Sequence, residues 1–208
     1  MSRGVRALVA CGIAAPLIYL SADVVASLSY DGYHWADQAV SELFAVEAPT
    51  RDFVVAMFTI YNALLFAFSI GIWRSADGRR ALQVIALLLA ASSVLGLITD
   101  FFAPMHARGF DQGASGQWHI ILTGVQTLFI FAMLAVGTRT LERWFRIVSW
   151  AVIAILLVAG PVSGLLTGDM ETSEPSPWLG VAERVLIYTY LLWTGLLAAS
   201  LLREDQPA

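Results

Sequence analysis

Six stretches of this chain are each long and apolar enough to cross the hydrocarbon core of a bilayer, which takes about 20 helical residues. They run Ala7–Ser29, Phe53–Trp73, Ala81–Thr99, Trp118–Thr138, Ile147–Thr167 and Trp178–Leu202. The second to fifth contain no Asp, Glu, Lys or Arg; the first contains Asp23, and the sixth contains Glu183 and Arg184 near its start. Inside lipid the backbone must satisfy its own hydrogen bonds, so such stretches read as helices. The expected fold is all-α: a polytopic membrane protein with six transmembrane helices in one bundle, a single domain over residues 1–208. Composition agrees, at 58% hydrophobic and 13% charged residues, against about 45–50% and about 25% in soluble domains.

The same composition excludes several functions. A formal charge of -4 with only 12 cations disfavours nucleic acid, which needs clustered positive charge. All 12 cations are Arg, so Schiff-base chemistry on lysine is absent. The one cysteine, Cys11, allows neither an internal disulfide nor a multi-cysteine metal site.

Arginine placement orients the bundle. Arg3, Arg6, Arg74, Arg79, Arg80, Arg139, Arg143, Arg146 and Arg203 fall at the termini or in the short loops after spans two and four. Only Arg51 and Arg108 lie in the other three loops. The positive-inside rule then puts both termini in the cytoplasm, and plasma membrane is the expected location. Arg3 and Arg6 before an apolar run also resemble a signal peptide. The run exceeds a typical apolar signal core and lacks a clear small-x-small cleavage site, so it reads as a retained first span.

Chemistry concentrates on the opposite, outward side. All three histidines, His34, His106 and His119, lie there, with most of the acids, Asp169, Glu171 and Glu174 included. Polar stripes at helical spacing mark the outer ends of four spans. They are Tyr19, Asp23, Ser27 and Tyr30; Ser92, Gly96, Thr99 and Asp100; His119, Thr123 and Gln126; and Glu183, Ile187, Tyr190 and Thr194. Residues so spaced share one helix face, and intramembrane polar groups face the bundle interior. These stripes converge on a cavity in one reading and serve only helix–helix packing in the other. Asp23 lies about 10 Å below Tyr30, where a carboxylate needs a partner. Arg184, the one arginine within a span, is the obvious partner, and Glu183 is its helical neighbour.

In the first outer loop, His34–Phe44 reads as a short amphipathic interfacial helix. His34, Asp37, Gln38, Ser41 and Glu42 share one arc, opposite Trp35, Val40, Leu43 and Phe44. A zinc site built from His34, His106 and His119, with Asp100 or Asp37 as fourth ligand or base, is a candidate metal centre. No HExxH, HxxxH or CxxC spacing accompanies it. Ser41, His34 and Asp37 are the residue types of a hydrolytic triad. Within one helix, however, His34 and Ser41 stand about 10 Å apart, and no GxSxG is present.

Several short motifs together resemble a known family. They are Ala39-Val40-Ser41-Glu42-Leu43 with Pro49, Asp100-Phe101-Phe102-Ala103-Pro104-Met105, Trp118-His119, and Glu183-Arg184 ahead of Tyr188-Thr189-Tyr190-Leu191-Leu192-Trp193. The chain resembles, over nearly its whole length, the six-span bacterial family called domain of unknown function 998. That resemblance implies a six-helix membrane fold and brings no reaction with it. A more distant likeness is to ceramidase-type membrane hydrolases, which use Ser, Asp and three His; the paired histidines of their late span are missing here.

The residues thus point to an integral plasma-membrane protein with an outward-facing polar pocket for a small molecule or lipid headgroup. Its wall would be Asp23, Asp100, His119, Gln126, Glu183, Arg184 and Tyr188, under a lid made by the 34–44 segment and the loop carrying His106. The alternatives are a zinc-dependent hydrolase acting on lipid at the outer face and a non-enzymatic membrane interaction protein. Membrane lipid is the expected partner in each case.

Overall fold

A computed structural model describes residues 1–167, 172 and 176–205. The acids Asp169, Glu171 and Glu174 lie outside the described residues. The apolar stretches form six long helices: α1 (Arg3–Ser29), α2 (Arg51–Ser75), α3 (Arg80–Phe102), α4 (Gly113–Gly137), α5 (Arg143–Leu166) and α6 (Leu179–Glu204). All six are long and apolar enough to span a membrane, and no strand occurs among the described residues. This is the fold of a multi-pass membrane protein. Each helix outruns its apolar stretch, by up to five residues at an end, because helix continues through flanking polar residues once lipid no longer limits it.

Consecutive helices pack side by side and α6 returns to α1, closing a ring whose thinnest seam lies between α4 and α5. Lipid offers no hydrophobic drive for helices to associate, so close packing and interhelical hydrogen bonds hold the ring. At the end carrying both termini the fit is tight. The indole Nε1 of Trp193 donates to Ser149 Oγ at 2.9 Å, and Trp193 is fully buried. A Cβ on Gly137 would come within 2.9 Å of the Trp193 ring and 3.0 Å of Ser149 Oγ, so glycine is what lets α4 meet α5 and α6 there. Asp205 pairs with the N-terminal amine and with Arg6, and Glu204 with Arg79 at 2.8 Å, joining the ends of the chain.

At the opposite end, which carries the longer loops, α5 has open space beside two glycines. A Cβ on Gly160 would touch only Leu186, at 3.9 Å, and one on Gly164 would meet nothing within 4 Å. Pro161 cannot donate to the Leu157 carbonyl, which loosens the α5 ladder in the same turn. Packing is therefore tighter around Gly137 than around Gly160 and Gly164.

The first loop departs from the expected 34–44 helix. Only Val40–Phe44 is helical, as a 3-10 turn, because long-range partners take the backbone groups that an α-helix would pair. Arg184 Nη1 donates to the carbonyls of Trp35 and Gln38, and the Tyr33 hydroxyl donates to those of Gln38 and Ala39. On the donor side, Glu42 accepts from the Ala39 amide and Glu183 from the Val40 amide.

Candidate functional site

Two polar assemblies lie side by side at the loop end. The first is a staple around Arg184. Its guanidinium grips Asp23 with two parallel bonds, Nε to Oδ2 at 2.9 Å and Nη2 to Oδ1 at 2.7 Å. Asp23 also accepts from the Ser27 hydroxyl at 3.1 Å and the Tyr188 hydroxyl at 2.5 Å. Arg184 continues to the Tyr33 hydroxyl at 2.8 Å and stacks over the Trp35 ring at 4.6 Å. Burial pushes the Tyr33 phenol up despite the guanidinium beside it, so it stays a donor to the loop carbonyls. The staple joins α1, α6 and the first loop, and its two charges are fully buried. Asp23, Arg184 and Tyr188, expected in the pocket wall, instead spend their polar atoms on one another and on the loop.

The second assembly is a cavity of about 460 Å³ walled by all six helices and the 3-10 turn. Asp100, His119, Gln126 and Glu183 line it, as expected from the sequence, together with Ser41 and Asn62. Of the expected stripes on α3, α4 and α6, all but Ser92 and Thr194 line this cavity. Asp100, Asn62 and His119 are all buried. His119 Nδ1 lies 2.9 Å from the Ala103 carbonyl; a carbonyl can only accept, so Nδ1 carries the proton and Nε2 is left as an acceptor. Glu183 accepts from the Val40 amide at 2.5 Å, which ties the lid to α6. Asn62 Nδ2 faces Asp100 Oδ2 at 3.5 Å, leaving Asn62 Oδ1 buried without a hydrogen-bond partner, as is the Tyr190 hydroxyl on the same wall.

Two threonine hydroxyls of the wall behave differently. Thr99 and Thr127 donate back to the carbonyls one turn earlier, Leu95 and Thr123, at 2.9 Å each. Such bonds satisfy the hydroxyl within its own helix. The carboxylates, the imidazole and the amide therefore carry the chemistry that remains available. Asn62 is the residue that reasoning from stripes misses. Its signal is simply an amide in the middle of an otherwise apolar span.

The three histidines go to different places. His34 is exposed on the first loop. His106 Nδ1 pairs with Glu47 Oε1 at 2.7 Å, while His119 lines the cavity. Burial raises the Glu47 carboxyl, but bonds from the Ala107 amide and His106 outweigh it, and the group sits below its ordinary value. That pairing docks the loop after α3 onto the first loop and draws His106 away from His119. Among the described residues, no three His, Cys, Asp or Glu side chains stand together as a metal-binding group. Asp37, the other proposed ligand, accepts from the Trp178 amide at 2.9 Å, ahead of α6. Arg108 reaches Glu42 at 3.3 Å and Ser176 at 3.3 Å, bracing the lid from the other side.

A family model described as "Protein of unknown function (DUF998)" matches residues 13–200. The chain belongs to this family. The matched DUF998 segment holds the staple, the cavity wall and both loops that cover them. A search of curated proteins and a search of solved structures each returned no match. For this DUF998 member the site's own geometry is thus the guide to function.

Proposed function

We propose that this protein is a plasma-membrane binding protein whose loop-end cavity opens outward and holds a small molecule or lipid headgroup. The observation that carries this reading is the buried Asn62 Oδ1 without a partner beside Asp100, with His119 and Glu183 on the same cavity. Polar groups buried at membrane depth are costly unless something completes their hydrogen bonds. Thr99 and Thr127 on the same wall are satisfied within their own helices, so the carboxylates and the open acceptors are the groups that a ligand would complete.

Lipids and small molecules that stay with the chain through mild extraction can be compared between wild type and Thr123→Trp. Thr123 lines the cavity and is exposed, so an indole there fills space without disturbing a packed contact. The wild type should carry a molecule that the variant has lost. Matching profiles would count against a ligand site.

Orientation follows from the arginines. With Cys11 replaced by Ser, a cysteine at the exposed Asp31 (Asp31→Cys) should react with an impermeant maleimide on intact cells. Reaction only after the membrane is opened would reverse the topology.

A further inference from the structure

If the loop-end cavity is a ligand site, its wall dictates which ligands it favours. Its charged groups are the carboxylates Asp100 and Glu183, and no arginine lines it; the chain has no lysine. Arg184, the nearest cation in sequence, is committed to Asp23. Asn62 Oδ1, whose amide nitrogen is turned to Asp100, and His119 Nε2 add two acceptors, while the Gln126 amide and the Ser41, Thr123 and Tyr190 hydroxyls on the wall are neutral groups that donate as well as accept. Arg51, whose charge reaches Asp100, is held by the Phe44 carbonyl at 2.8 Å and does not line the cavity, so a phosphate or sulfate would meet two carboxylates with no cation on the wall to receive it.

The aromatic part of the wall points the same way. Tyr19 stacks on Phe58 with ring centroids 4.4 Å apart, Tyr61 stands edge-on to Tyr19 at 5.1 Å, and Phe44 edge-on to Phe58 at 5.4 Å. All four rings line the cavity. Ring faces beside carboxylates in a water-poor site are the chemistry that recognises ammonium groups. Deeper on the wall the lining turns apolar, with Ile130, Phe131, Leu156, Leu186 and Ile187. The cavity reaches between α4 and α5, where Thr123, Thr127, Gly160 and Ser163 line it, and Thr123 and Thr127 are exposed at membrane depth.

Resting on the ligand-site reading above, we propose that the occupant is a cationic amphiphile. Its ammonium head sits among Asp100, Glu183 and the Tyr19–Phe44–Phe58–Tyr61 rings. Its alkyl tail runs down the apolar wall and out through the α4–α5 seam, so the molecule enters sideways from the bilayer.

The full chain in a neutral maltoside detergent can be titrated calorimetrically with hexyltrimethylammonium, hexyl phosphate and hexyl glucoside. These share a tail and differ only in the head. The ammonium compound should bind at least about tenfold more tightly than the other two. Asp100→Asn and Glu183→Gln should each weaken it by about tenfold, and Phe58→Leu, which keeps apolar bulk but removes the ring face, by several-fold. Equal binding of hexyl phosphate or hexyl glucoside would discard the cationic class while leaving the ligand site standing. If none of the three binds, the ligand-site reading falls with it. The wild-type preference among heads decides the question even if a variant fails to fold.

Discussion

Arg184→Ala should destabilise the protein by about 3–5 kcal/mol, the cost of leaving one charge of a buried pair without its partner. Asp23 is fully buried and would retain only the Ser27 and Tyr188 hydroxyls. Asp23→Asn should cost a comparable amount, because the guanidinium would lose a carboxylate that it holds with two bonds. The double variant should cost far less than the sum, with a coupling of about 1–3 kcal/mol. Unfolding curves of the four proteins in detergent measure this directly. Strict additivity would mean that the two side chains do not act as a pair.

Gly180→Ala should cost about 1–3 kcal/mol, an unusually large penalty for one methyl group. A Cβ there would run into the backbone carbonyl oxygens of Trp35 and Gln38 and crowd Arg184 Nη1. Those carbonyls cannot yield as a flexible side chain would, since Arg184 holds both and the Ala36 carbonyl takes the Val181 amide at 3.1 Å. The first loop should lift from α6, weakening the lid contact between Val40 and Glu183. Hydrogen exchange across residues 33–44 should accelerate in the variant relative to wild type. Unchanged exchange, with unchanged stability, would show that the loop does not rest on Gly180.

The partners of these residues are unequally legible in sequence. The Asp23–Arg184 pair could be anticipated because lipid penalises an unpaired charge and the chain offers one arginine within a span. The cavity wall could be anticipated on α3, α4 and α6, where spacing of three and four residues puts Asp100, His119 and Glu183 each on one helix face. The same spacing rule places Asp23 in the wall as well, beside Tyr188, which is expected there although it lies off the α6 stripe. Spacing cannot tell a face turned to a cavity from a face turned to a partner, and the staple absorbed both residues. Asn62 is hard to single out because Thr59 and Ser69, at helical spacing from it, read as ordinary interhelical packing groups. In the first loop, periodicity favoured a helix over His34–Phe44. That pattern is blind to Arg184 and Glu183, more than a hundred residues away, which take the backbone groups the helix needed. The histidines were grouped because they share one end of the bundle; Glu47, paired with His106, is what separates them.

Lid, staple and cavity fit together in one physical scheme. The staple anchors the first loop to α1 and α6, Glu183 holds that loop by the Val40 amide, and the anchored loop places Ser41 and Phe44 in the cavity wall. The terminal end of the ring is locked by Trp193, Ser149 and Gly137. On the proposed reading, a ligand enters at the loop end between α4 and α5, both of which line the cavity.

The most direct measurement is an experimental structure of the protein taken from its native membrane into a lipid environment without prior delipidation. The account predicts continuous elongated density in the cavity, with its head beside Asp100 and Glu183 and its tail leaving between α4 and α5 near Gly164. A cavity holding only isolated water peaks, or closed by α4 packing onto α5, would contradict it.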